Sequence, residues 1–338
     1  MHFRLFTLIF SLTSAVPILI PVNEICKRGD SFWTVEPGAL LFVASTDEPK
    51  ELNAIRVKNA KLERTLDEVN RELNSDGSKV GWKLTTDTVA FFASANCANL
   101  TGVVYITTAK QADDPNFLVY HADRRMNIQT DRDQTTIVII SEHIYSVDGF
   151  GRALKTTKIS NIQQRFDGKL TMYRGAPGAN YRNPIIKEVA NQKVFENPLN
   201  SSKVANFFYN IDPMQVNFDV FYVSADKFLK LLVEPVWEDP NSMPNNRLTS
   251  TGLITCQHKC EKVTIGFSTR IATAISGAMY NTDVYGNVQI NIQNLMKKIT
   301  GQSIGEVSAR IAAQQIVITP SEEDDGFYAF QYFLVMTK

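Results

Sequence analysis

The side chains able to do chemistry are few and widely scattered. Past the first residues there are three histidines, His121, His143 and His258, and four cysteines, Cys26, Cys97, Cys256 and Cys260. Only Cys256-Gln-His258-Lys-Cys260 gathers metal-ligand types in one place. Zinc there would need a fourth ligand and reduced thiols, at a spacing the usual fingers do not use. Oxidation of the two thiols to a local disulfide is the simpler outcome in a secreted chain. Glu322-Glu-Asp-Asp325 places four carboxylates just before the last apolar run. Clustered oxygens are what calcium binds, though a solvated acidic loop is the simpler account. Trp33, Trp82 and Trp237 have aromatic faces that could stack on a sugar or peptide, with burial in a core as the default. No Gly-x-Ser-x-Gly elbow, His-Glu-x-x-His helix, phosphate loop or kinase motif occurs. Gly149-Phe-Gly151 follows Asp148 without a strand–helix context and reads as a turn. A hydrolase triad could be assembled from distant residues, because roles depend on geometry and not on order. Nothing local marks one, and the expectation is a protein without catalysis or an obligatory cofactor.

Composition narrows the class. The chain has 338 residues, 44% hydrophobic, with 35 basic and 35 acidic side chains. That apolar content excludes wholesale disorder. A formal charge of zero argues against a nucleic-acid partner, whose phosphates demand a basic surface.

The start of the chain points to an export route. Arg4 precedes an apolar run from Leu5 to Leu12, then Thr13-Ser14-Ala15. This is the order of a secretory signal peptide, here residues 1–20, with cleavage expected between Ala15 and Glu24. No later stretch reaches the roughly 20 apolar residues a membrane helix needs. The expectation is a secreted, extracellular protein with no integral membrane segment after cleavage. Four cysteines allow three pairings. Shorter loops cost less entropy to close, which favours Cys26–Cys97 and Cys256–Cys260. Asn99-Leu-Thr101 and Asn200-Ser-Ser202 are glycosylation acceptors.

Most elements that would position these groups read as strands. Apolar or alternating stretches recur at 39–45, 80–84, 88–93, 102–107, 126–130, 135–141, 169–173, 204–209, 216–223, 263–267, 288–292, 315–318 and 327–335. Turn residues between them point to packed antiparallel sheets. Helical signals are fewer. Thr65-Leu-Asp-Glu68 is a capping box, with Leu62, Leu66, Val69 and Leu73 as a stripe, and predicts a helix over 65–74. Ser303-Ile-Gly-Glu306 is a second box, while 226–234 and 291–299 are weaker helix candidates. Polar, proline-bearing stretches at 111–116 and 235–246 divide the chain into units at 22–110, 115–234 and 247–338. Each unit closes on a tyrosine-bearing strand, as divergent repeats would.

The second unit carries a resemblance. Phe166-Asp-Gly-Lys-Leu-Thr-Met-Tyr-Arg-Gly175 looks like the central motif of a CUB domain, an acidic residue ahead of a strand and a Tyr-x-Gly turn. The stretches 200–209 and 216–223 resemble its last strands, and Asp325-Gly-Phe-Tyr-Ala-Phe-Gln-Tyr332 its Asp…Gly-Phe ending. With the leader and the length, the sequence is similar to the secreted CUB-like proteins of nematodes, best over 115–225. The resemblance implies two or three tandem β-sandwich modules with a few short helices. It places Asp325, and less fully Asp167, at calcium positions. Departures are the absence of cysteine from the second unit and the capped helix over 65–74.

The function this reading implies is non-enzymatic recognition of an extracellular protein or glycan. The family association is with defence or stress responses at an epithelial surface. Loops at the sandwich ends would do the binding, with 173–181, containing Tyr173, Arg174 and Tyr181, and 212–215 first in line. The alternatives are a self-associating extracellular matrix component and a secreted hydrolase built on one of the three histidines.

Overall fold

A computed structural model describes residues 16–94, 97, 100–141, 145–148, 151–164, 168–178, 193–197, 214–238, 251–257, 262–266, 271–281, 287–300, 303–309, 312–320 and 327–337. The protein is mainly β, with five sheets and four short helices among the described residues.

The first unit is a pair of four-stranded sheets. One runs Ile18–Pro21, Val103–Ile106, Leu40–Ala44, Trp82–Lys83, and the other Ser31–Thr34, Thr88–Ala93, Ile55–Asn59, Leu62–Thr65. The alternation is legible in Ile55–Asn59, where Ile55, Val57 and Asn59 are buried while Arg56 and Lys58 are exposed. Leu41, Val43, Val104 and Ile106 meet Ile55, Val57, Val89 and Phe91 in the core between the sheets. The capping box forms as expected: Thr65 Oγ1 accepts from the Glu68 amide at 3.2 Å and Glu68 Oε2 from the Thr65 amide at 2.8 Å. The helix is shorter than the stripe predicts, Leu66–Asn70. Leu66 and Val69 are buried, but Leu62 sits on a strand and is 57% exposed.

Ile18–Pro21, at the end of the segment expected as a leader, is a strand of the first unit. It pairs antiparallel with Val103–Ile106, and Ile20 is buried in the first core. The fold therefore uses residues from Ile18 onward.

The second unit packs a five-stranded sheet on a nine-stranded one. The smaller runs Lys193–Asn197, Leu170–Arg174, Val220–Ala225, Thr135–Ile140, Phe117–His121. Its last pair is parallel, so the architecture is not wholly antiparallel. The larger sheet runs Met126–Thr130, Leu229–Glu238, Gly151–Gln164, Met214–Val216, Thr251–Gln257, Phe327–Thr337, Ile271–Asn281, Ser303–Ala309, with Tyr145–Asp148 added to Gly151–Gln164. One sheet thus crosses from the second unit into the third, through a parallel contact at Gln215 and Ile254. Side chains reinforce that short junction. Thr255 Oγ1 accepts from the Asn217 amide at 2.7 Å. Gln331, wholly buried, donates from Nε2 to the Glu196 carbonyl at 2.9 Å, and its Oε1 accepts from the Glu196 amide at 3.2 Å.

The five-stranded sheet is buried on both faces. Ile137, Ile139, Phe221 and Val223 join the second unit's core. Val138, Ile140, Val220 and Tyr222 pack instead against Phe42, Ala44, Val103 and Tyr105 of the first unit. Burial on two faces is why Ile137-Val-Ile-Ile140 is continuously apolar rather than alternating. The polar stretch at 111–116 does not separate two free units. It carries helix Ala109–Ala112, whose Gln111 caps Thr108 and donates to the Pro177 carbonyl at 2.8 Å.

The shared core is rich in tyrosine, and its phenols are strongly perturbed. Burial pushes the Tyr105 and Tyr222 hydroxyls well above the ordinary range, each with a smaller push from another tyrosine. A folded-state pKa above the unfolded value contributes stability that is intact below about pH 10 and lost above it. Equilibrium unfolding followed by urea midpoint should therefore hold steady up to about pH 10 and fall steeply beyond it.

Three helix expectations fail. Residues 229–234 of the stretch 226–234 belong to strand Leu229–Glu238, which pairs with both Met126–Thr130 and Gly151–Gln164. Residues 291–299 form a hairpin of Asn287–Ile292 and Leu295–Thr300, turning at Gln293 with φ 55°. Val288, Ile290 and Ile292 are buried at period two, and that pairing outweighs a loose helical spacing. Ser303-Ile-Gly-Glu306 opens strand Ser303–Ala309, which pairs along its length with Ile271–Asn281. Gly305 inside the would-be helix weakens that alternative. A four-stranded sheet of the third unit runs Val263–Gly266, Gln315–Pro320, Asn287–Ile292, Leu295–Thr300.

Candidate interaction surface

The disulfide expected from loop length is present. Cys26 and Cys97 are bonded, with Cα atoms 5.4 Å apart across 71 residues of sequence. It ties helix Val22–Arg28, which buries Val22 and Ile25, to the chain beyond Thr88–Ala93. Cys260 and the side chain of Cys256 lie outside the described residues, as do His143, His258, Asn99, Asn200, Tyr181, Asp167, Asp325 and the side chain of Trp237. Thr101 of the first glycosylation triplet is described. Its amide and hydroxyl donate to the Asp47 carboxylate at 2.6 and 3.1 Å.

Of the two expected binding loops, the structure places Tyr173, Arg174, Met214 and Gln215 in strands, while 179–181 and 212–213 lie outside the described residues. Tyr173 and Arg174 end strand Leu170–Arg174, which is flanked by strands on both sides. Tyr173 stacks on Tyr222 with ring centroids 4.7 Å apart and 13° between planes, at the margin of the shared core. Arg174 is 7% exposed, its guanidinium carbon 5.4 Å from the centre of the Phe218 ring. Met214 and Gln215 of the second expected loop are buried within strand Met214–Val216. The motif signalled a strand and turn correctly, but only packing shows that the first unit lies over that strand.

Other candidates are structural too. Trp82 belongs to the first core. His121 is buried at the end of its strand, with Nδ1 3.9 Å from Asp123 Oδ2. Among the described residues no group of three His, Cys, Asp or Glu side chains could hold a metal.

What the structure does expose is the outer face of the first unit's second sheet. Register places Phe32, Ala90, Lys58 and Glu63 in one row, and Phe92, Arg56 and Thr65 in the next. Phe32 is 70% exposed on the edge strand Ser31–Thr34. It meets Phe92 edge-on at 6.5 Å, and the Arg56 guanidinium lies over Phe92 at 6.0 Å. Glu63 Oε1 accepts from Arg56 at 2.8 Å and orients that guanidinium. On the same strand Trp33 turns inward, with Arg28 over its ring at 5.3 Å. An aromatic pair with an oriented arginine is a stacking and hydrogen-bonding platform suited to a sugar ring or a protein side chain. The sequence signal was Phe32-Trp33, two aromatics in an otherwise polar strand, of which only the tryptophan drew notice.

Comparison with known proteins places the sequence as follows. Residues 36–338 match the model of a glycoprotein family described as transmembrane glycoprotein. No curated protein matches the sequence. Among solved structures, the chain is similar to the CUB1-EGF-CUB2 domains of rat MASP-1, with 7% identity over 64% of this chain and 99% of that one, at TM-score 0.19. An uncharacterized protein of Listeria monocytogenes shares 11% identity over 78% of this chain and 28% of its own, at TM-score 0.19. A chain of the lipid-containing bacteriophage PM2 covers 91% of this one at 9% identity and TM-score 0.12. Scores this low carry no shared chain path. Among the described residues no helix is long and apolar enough to cross a membrane.

Proposed function

Since the chain belongs to the transmembrane glycoprotein family, we propose that it is a non-enzymatic, CUB-like binding protein of extracellular type. Its contact surface in this reading is the Phe32–Phe92–Arg56 face of the first unit, and the ligand is an extracellular protein or glycan. The observation that carries the reading is Phe32, a large apolar ring held 70% exposed beside an oriented arginine. Such residues dominate binding energy at interfaces. The disulfide Cys26–Cys97 supports an oxidising compartment, and the family description supports glycans at Asn99 and Asn200. The CUB-like part of the reading rests on the sequence motifs at 166–175 and 325–332. A role in defence at an epithelial surface comes from that resemblance alone.

Export would remove the leader before Ile18, because Ile18–Pro21 is part of the first sheet. Cleavage after Ala15 meets this requirement and the small-residue rule together. Amino-terminal sequencing of the secreted protein should begin at Val16, and a start beyond Ile18 would contradict it.

Phe32 and Arg56 are tested together on a glycan and extracellular-protein array, with calcium and with chelator. The double substitution Phe32→Ser, Arg56→Ala should weaken binding at least tenfold, about 1.4 kcal/mol, and leave the melting temperature nearly unchanged. Undiminished binding by the folded variant would sink the surface assignment. Loss on chelation would promote Asp325 to a calcium ligand.

A further inference from the structure

Two buried polar side chains of the nine-stranded sheet, one from the second unit and one from the third, have no explanation in the packing. Gln215 is 2% exposed and Tyr328 1% exposed. Among the described residues, neither amide atom of Gln215 and not the Tyr328 hydroxyl has a hydrogen-bond partner. Nearly all buried polar groups in folded proteins are satisfied, by protein or by a bound molecule. Three orphaned atoms in one region call for a partner.

Register puts the two residues on one face of the nine-stranded sheet. Gln215 pairs with Ile254, Ile254 with Phe330, and Cys256 with Tyr328. Met214, Val216, Leu253 and Ala329 all point into the second unit's core. Strand alternation then sends Gln215, Ile254, Tyr328 and Phe330 to the opposite face. That face is closed from solvent, since Ile254, Phe330 and Tyr332 are also buried. The hairpin strand Leu295–Thr300 lies against Ser303–Ala309 and Ile271–Asn281 of the same nine-stranded sheet.

We propose that the nine-stranded sheet binds, on this face, an uncharged hydroxyl-bearing guest held between Gln215 and Tyr328. The amide offers two donors and an acceptor, and the phenol one donor and an acceptor. A hydroxyl, which donates and accepts, satisfies both. An uncharged guest fits, because Lys158, beside Gln215 in register, is already paired with Glu234 at 3.1 Å. Ile254 and Phe330 supply apolar walls. The hydroxyl can belong to ordered water or to an alcohol group on an otherwise apolar molecule.

Isosteric deletion tests the guest through the sign of its effect. If the interior is dry, Tyr328→Phe removes an unsatisfied oxygen and the melting temperature rises or stays put. If a guest is bound, the same change breaks a hydrogen bond to it, and the melting temperature of the full chain should fall by about 3 °C or more. Gln215→Leu should act in the same direction, and Tyr328→Phe, the milder change, decides the matter if Gln215→Leu does not fold. Native mass spectrometry of the purified full chain separates the sources. Retained mass that organic extraction removes identifies an apolar alcohol, while a fall in melting temperature without retained mass identifies water. A melting temperature unchanged or raised by Tyr328→Phe overturns the proposal whatever mass is found.

Discussion

Replacing Cys97 by serine is expected to remove about 4 kcal/mol of stability. The bond closes a loop of 71 residues that contains nearly all of the first unit. Without it the unfolded chain regains the freedom to separate its ends, a gain that grows with the logarithm of loop length. The folded state loses little by comparison, since helix Val22–Arg28 keeps Val22 and Ile25 in the core. Urea titration of Cys97→Ser against the oxidised parent measures the difference. Adding reductant should remove most of the difference between the parent and the variant. A loss below about 1 kcal/mol would mean that packing alone holds the amino-terminal helix.

Phe42→Ala should cost about 3–5 kcal/mol, the usual range for emptying a buried phenylalanine site. Phe42 is 4% exposed and stacks on Tyr105 at 6.1 Å. Its strand belongs to the first unit, but its side chain faces Val138, Ile140 and Val220 of the second. The cavity would therefore open in the wall the two units share. Hydrogen exchange should accelerate in Thr135–Ile140 as well as in Leu40–Ala44. Acceleration confined to Leu40–Ala44 would show two independent modules, contrary to the double burial of the five-stranded sheet.

That double burial marks the limit of what local pattern can tell. The period-two alternation of Ile55–Asn59, the capping box of Thr65 and Glu68 and the mainly β class all follow from neighbouring residues. The pairing of Cys26 with Cys97 follows from chain entropy, which needs only positions along the sequence. These properties follow from local pattern or from separation along the chain, and they survive in the structure.

The helices expected at 226–234 and 303 onward fail because each stretch finds a partner elsewhere in the sequence, whereas 291–299 folds back on its neighbour as a hairpin. Ser303–Ala309 pairs with Ile271–Asn281, and Leu229–Glu238 with strands from Met126 and Gly151 onward. A strand's hydrogen bonds lie outside its own segment, so its existence depends on neighbours that no window of sequence contains.

The candidate sites divide along the same line. Tyr173 and Arg174 have the composition of a binding loop, yet Tyr173 stacks at the margin of the core shared with the first unit and Arg174 is buried against Phe218. Phe32 has the composition of a core residue, yet its strand is an edge and its face is uncovered. Residue type and spacing determined the compartment signals, the disulfide and the β-rich class of this protein. Tertiary structure decided which faces are covered, because burial is settled by what packs on an element and not by the element itself.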